Sequence, residues 1–113
     1  MSGRGALGEF ELYVLLAVAR QEGEAYGVTI RREIEAQGGR RVSMGAIYAT
    51  LARLEEKGLV RFAYSEPLPV RGGRTRKLVA LTGAGRRALA ASASGLRRMM
   101  EGLDLEPEPG GGR

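Results

Sequence analysis

Three features of this 113-residue sequence predict a mostly α-helical fold with a small β-hairpin towards its C-terminal end. The stretch Ser43–Val60, SMGAIYATLARLEEKGLV, has helical period, since Met44, Ile47, Leu51 and Leu54 recur at steps of three, four and three and share one face. After Gly58 the period changes to two, and two short alternating runs flank a Pro- and Gly-containing segment. A last helical stretch then carries apolar residues at near-heptad spacing.

Taken in order, Met1–Ala6 is Gly-rich and reads as a flexible arm. Leu7–Arg20 is a helix whose apolar run, Phe10 and Tyr13–Val18, is nearly continuous, so it is buried on more than one side. Gln21–Ala25 is a polar turn with Gly23 in it. The second helix runs over Tyr26–Gln37, with Tyr26, Ile30 and Ile34 as its core stripe and Arg31, Arg32, Glu33 and Glu35 facing out. Gly38 and Gly39 end it, and Arg40–Val42 links to the third helix. Ser43 can cap that helix, and Gly58 can close it with a positive φ. Two helices joined by a short turn fit a helix-turn-helix.

The outward face of the third helix is expected to carry Ala46, Ala49, Thr50, Arg53 and Lys57. Small residues there let a backbone approach base edges, and a long cation reaches guanine or phosphate. An ordinary amphipathic surface helix with a solvated basic face has the same pattern, and the flanking segments decide between the two. Leu59–Tyr64 and Arg76–Leu81 read as strands around the loop Ser65–Thr75. Loop and second strand bring Arg71, Arg74, Arg76 and Lys77 with Glu66 alone opposing them, the charge a DNA-contacting wing needs; a solvated hairpin tip is the plainer reading.

Thr82 is a good N-cap for a last helix over Gly83–Leu103. Its stripe of Leu89, Ala93, Leu96, Met100 and Leu103 needs a packing partner, either a second subunit or its own domain. Leu105–Arg113 reads as a disordered tail. The domain division is thus an arm over 1–6, a winged helix-turn-helix over 7–81, a dimerisation helix over 82–104 and a tail over 105–113.

Charge supports a polyanion partner. The chain has a net charge of +5, but between Arg40 and Arg98 there are 13 Lys/Arg against 3 Asp/Glu, while the remainder holds 5 basic and 10 acidic residues. Sixteen of the 18 basic residues are Arg, which a GC-rich genome would favour, but codon bias does not explain why the acids avoid the same segment. With no Cys and no His, the sequence excludes a disulfide scaffold, a thiol nucleophile, the common zinc sites and the usual neutral-pH general base. Glu55 and Glu56 are helix neighbours pointing apart, so they are no acid/base dyad. No apolar run approaches the roughly 20 residues of a membrane span, and MSGRGALGEF has no signal-peptide h-region. A soluble cytoplasmic protein without catalytic residues, metal or cofactor is the expectation.

Four pieces in order resemble PadR-type transcriptional regulators: LGEFELYVLLAVA, YGVTIRREIE, SMGAIYATLARLEEKGLV and GRTRKLVALTGAGRRAL, together about Leu7 to Leu89. The resemblance implies a winged helix-turn-helix repressor that dimerises through its C-terminal helix. By position it implies that Tyr48 and the face around Thr50 and Arg53 contact DNA and that Arg74 and Arg76 belong to the wing. The chain departs from the family in a short C-terminal region and in Leu78 and Val79, where the wing often carries aromatics. It also has no Trp in the last helix, where one branch lines a ligand pocket. Phe10, Tyr13, Met99 and Met100 remain as pocket lining for a small-molecule effector of unspecified identity.

The expected DNA-binding set is therefore Ser43, Gly45, Ala46, Tyr48, Ala49, Thr50, Arg53, Arg71, Arg74, Arg76 and Lys77, and the expected dimerisation set is Leu89, Ala93, Leu96, Met100 and Leu103. The function these imply is a sequence-specific repressor, binding a pseudo-palindromic operator in double-stranded DNA as a homodimer. The rival reading is a winged-helix module whose basic face meets an acidic protein, without preference among DNA sequences.

Overall fold

The computed structural model describes residues 7–65 and 76–106. Its elements are α1 (Glu9–Arg20), α2 (Gly27–Gly38), α3 (Met44–Glu56), β1 (Val60–Tyr64), β2 (Lys77–Leu81) and α4 (Gly83–Met100). Arg71 and Arg74, with residues 1–6 and 107–113, lie outside the described residues.

Local chemistry sets the helix starts. Ser43 Oγ accepts from the Ala46 amide at 3.0 Å, and Thr82 Oγ1 accepts from the Gly85 amide at 3.0 Å, so both expected caps form. At α1 and α2 the satisfying side chain comes from the third helical position instead. Glu11 Oε1 accepts from the Gly8 amide and Thr29 Oγ1 from the Tyr26 amide, each at 3.0 Å. The positive φ of Gly39 (70°) and Gly58 (75°) turns the chain at the ends of α2 and α3.

The core is one cluster. Val14, Leu15, Ala17 and Val18 of α1 meet Ile30 and Ile34 of α2, then Ile47, Leu51 and Leu54 of α3, and finally Val60, Val79 and Leu81 of the hairpin. Continuous burial along α1 matches its continuous apolar run, although Leu16 is exposed. β1 and β2 pair antiparallel with Val60 opposite Leu81 and Tyr64 opposite Lys77. Val60, Phe62 and Tyr64, which strand alternation puts on one side of β1, grade from buried to exposed, because the hairpin runs out past the core that covers its base. The Val79 amide donates to the Ala25 carbonyl at 2.9 Å, so the turn before α2 flanks β2 like a third strand.

α4 is fixed to the end of α3 by three contacts. Thr82 Oγ1 donates to the Gly58 carbonyl at 2.6 Å, and the Thr82 amide donates to the Leu59 carbonyl at 3.0 Å. A Cβ on Gly85 would stand 2.0 Å from the Leu59 carbonyl oxygen, so only glycine lets α4 approach this closely. α4 is shorter than the sequence suggests. It stops at Met100, Glu101 is extended and Gly102 has φ 84°, leaving Leu103 beyond the helix.

Candidate nucleic-acid interface

The outward face of α3 is built of Gly45 and Ala49, both exposed, with Ala46 half-buried beside them. Tyr48 projects from it with 55% of its surface exposed. Arg53 follows five residues, about 1.4 turns, further along, its side chain 54% exposed. The small residues leave the backbone approachable between a phenol and a guanidinium, which suits a helix entering a major groove.

Thr50 is not on this face. It is 1% exposed and turned into the core. Ile47, Thr50, Leu51 and Leu54 stand at i, i+3, i+4 and i+7, so helical geometry puts Thr50 among the core positions; its polarity, not its spacing, suggested the other face. Its hydroxyl accepts from Arg53 Nη2 at 3.1 Å, so it steadies the guanidinium from beneath.

Lys57 is also drawn inward, by Glu11 of α1, a residue sequence reasoning did not single out. Lys57 Nζ donates to Glu11 Oε2 at 2.8 Å and Oε1 at 3.0 Å, and Arg53 Nε lies 3.7 Å from Oε2. Glu11 is 7% exposed. Burial pushes its carboxyl pKa up. The Lys57 hydrogen bonds, the Gly8 amide and the charges of Lys57 and Arg53 outweigh that and hold it below the usual glutamate value. The sequence signal was there to be read: a lone acid inside an otherwise apolar helix face must find a partner.

On the hairpin, the Arg76 guanidinium lies 4.9 Å from the centre of the Tyr26 ring and Lys77 Nζ lies 4.2 Å from that of Phe62. Ser65 and Arg76 close the described base of the wing, with the Ser65 amide on the Arg76 carbonyl and the Arg76 amide on Ser65 Oγ, both at 2.8 Å. Arg76 is thereby held at the start of α2, where Gly27 lies against Tyr48 of α3, while Lys77 sits on the Phe62 ring within the hairpin.

Away from this face, α1, α2 and α4 border a cleft of about 360 Å³ lined by Leu12, Tyr13, Leu16, Ile34 and Leu96, among others. Of the residues expected to line a pocket, Tyr13 borders this cleft, and Phe10, Met99 and Met100 do not. Phe10 and Tyr13 lie under the Arg40 guanidinium, 5.8 and 5.1 Å from their ring centres, and Met99 is exposed. The α4 stripe divides. Leu89 packs against the protein's own core, so it is not a free seam residue; Ala93 is half-buried; Leu96, Met100 and Leu103 are exposed, Leu103 beyond the helix end. Among the described residues no group of His, Cys, Asp and Glu could hold a metal ion, and no helix is long and apolar enough to cross a membrane.

Three helices, a paired hairpin and an outward recognition face define a winged helix-turn-helix of the DNA-binding class. The model of the transcriptional regulator PadR-like family matches residues 15–91, and the chain belongs to that family of transcriptional regulators. Its fold is similar to the crystal structure of a PadR family transcription regulator from Clostridium difficile R20291, with a TM-score of 0.71 and 23% identity over 83% of this chain and 93% of that one. RosR of H. salinarum is similar at a TM-score of 0.65 and 30% identity, covering 87% of this chain and 81% of that one. A protein of 37.1 kDa in transposon TN4556 of Streptomyces fradiae is 37% identical over 89 residues, 79% of this chain but 23% of that protein. This chain thus spans less than a quarter of that relative's length.

Proposed function

We propose that the chain is a repressor that binds a pseudo-palindromic operator as a homodimer, inserting α3 into the major groove and laying the hairpin along the phosphates. The observation that carries this reading is the division of α3: Ile47, Leu51 and Leu54 are buried, while Gly45, Tyr48, Ala49 and Arg53 face outward. Arg76, on the Tyr26 ring next to Gly27 and Tyr48, supplies a cation beside that face, and Lys77 supplies another on the hairpin.

The homodimer reading is supported by the exposed Leu96, Met99 and Met100 along α4 and by the apolar cleft that Leu96 shares with Leu12 and Leu16. A large apolar side chain fully buried contributes roughly 1.5–3 kcal/mol, so a second copy covering this stripe gains several such terms. Two recognition helices related by a two-fold would then meet successive grooves about 34 Å apart. Selecting bound duplexes from random DNA tests the function. The expected product is an inverted repeat with half-sites one helical turn apart. Recovery of sequences without any shared pattern would sink the operator reading and favour the module that binds an acidic protein.

A further inference from the structure

Gly27 begins α2 with an ordinary negative φ, so its backbone conformation would accept any residue. Its space would not. A Cβ built on Gly27 would stand 2.8 Å from Tyr48 Oη, 2.9 Å from Tyr48 Cε1 and 3.0 Å from Met44 Cε. The phenol of α3 therefore rests directly on the first residue of α2, and the absence of a side chain there is what lets it do so. The preceding residue, Tyr26, carries the Arg76 guanidinium on its ring at 4.9 Å. The residue before that, Ala25, accepts the Val79 amide of β2 at 2.9 Å. Three consecutive residues thus touch both of the elements that face the nucleic acid.

We propose that Tyr26 and Gly27 are a positioning pair for DNA binding: Gly27 seats the Tyr48 phenol and Tyr26 seats the Arg76 guanidinium, fixing recognition helix and wing relative to each other. The proposal rests on the reading that Tyr48 and Arg76 themselves contact DNA. Neither Tyr26 nor Gly27 needs to touch the nucleic acid. Tyr48 is more than half exposed, and a phenol with that much free surface would sample several rotamers without a seat. Holding it in one lowers the ordering cost of docking. The same holds for the long Arg76 side chain, which the Tyr26 ring restrains by cation–π attraction.

The atoms that a Gly27 methyl would meet are the far ends of two flexible side chains, so Gly27→Ala is accommodated by moving Tyr48 and Met44 and leaves the fold intact. Alanine is also the better helix former. Gly27→Ala should hence keep or raise the melting temperature while weakening DNA binding, a combination that a purely structural glycine does not give. The full chain is titrated onto a duplex selected by the wild type, as Gly27→Ala, Tyr48→Ala and the double variant. Each single variant should lose about tenfold in affinity, the size of one lost specific contact. The double should be no weaker than Tyr48→Ala alone, because both changes remove the same contact. A second cycle with Tyr26→Leu and Arg76→Ala should behave alike, and it carries the test if Gly27→Ala lowers the melting temperature. Losses that multiply in both cycles, or Gly27→Ala and Tyr26→Leu binding like wild type while Tyr48→Ala and Arg76→Ala do not, overturn the positioning pair alone. Full affinity in Tyr48→Ala and Arg76→Ala overturns the contact reading and the pair with it.

Discussion

The Lys57 ammonium stands 2.8 and 3.0 Å from the two carboxylate oxygens of Glu11, a residue 46 positions earlier in the chain. This pair ties the C-terminal end of the recognition helix to the first turn of α1, and the same carboxylate lies 3.7 Å from Arg53 Nε. Arg53, proposed above to contact DNA, is thus flanked by an acid from the scaffold. The arrangement has a direct consequence for stability.

Glu11→Gln keeps the shape but removes the charge, leaving Lys57 without its partner. The expected loss is about 1–3 kcal/mol, the range for a hydrogen bond to a charged group in a partly buried setting. The loss should also depend on pH. The folded chain holds the Glu11 carboxyl below its ordinary value, so the unfolded chain binds more protons in the acid range and stability rises with pH there. The contribution is complete above the unfolded value of about 4.3 and is lost as pH falls through the lower folded value. Denaturant melts should therefore show wild type and Glu11→Gln converging below about pH 4. Curves that stay parallel down to acid pH would remove the charge from the account.

Arg53→Ala should weaken operator binding by about 1–3 kcal/mol if the guanidinium reads a base, and should spare random DNA. Equal losses on both would make it a phosphate contact. Thr50→Val, which removes only the hydroxyl beneath the guanidinium, should shift operator affinity in the same direction by a smaller amount. Competition binding with operator and random duplexes measures both.

Lys77→Ala should flatten the dependence of log affinity on log salt by about one unit, on each sequence tested, because a phosphate contact releases one counterion. Arg74, outside the described residues, is expected to act in the same way. An unchanged slope for both would take the wing off the DNA.

Leu96→Glu should give a monomer whose winged-helix part stays folded, since Leu96 is half exposed in the single chain and stands among apolar neighbours in the cleft. A carboxylate buried there by a second copy would have no compensating partner. Affinity for a full operator should drop steeply while an isolated half-site is bound as before, because the gain in effective concentration is lost. Sedimentation decides: wild type already monomeric at micromolar concentration would end the dimer proposal.

The sequence by itself determined the elements, their order and the family. Helical period, the Ser43 and Thr82 caps, Gly39 and Gly58 and the change to period two after Gly58 are local signals, each set by interactions within a few residues. The family motifs are strings of the same kind. What the tertiary structure decided is which polar side chains the elements keep for solvent. Thr50 went into the core because Ile47, Leu51 and Leu54 fix the helix rotation. Lys57 turned to Glu11, Leu89 to the domain's own core, and Tyr48 onto Gly27. Each of these depends on residues far apart in sequence meeting at one point, and neither periodicity nor charge counting carries that distance. A cation on a helix surface is equally satisfied, in one dimension, by water, by phosphate or by a carboxylate from another helix; only the packed arrangement of α1 against α3 selects among them.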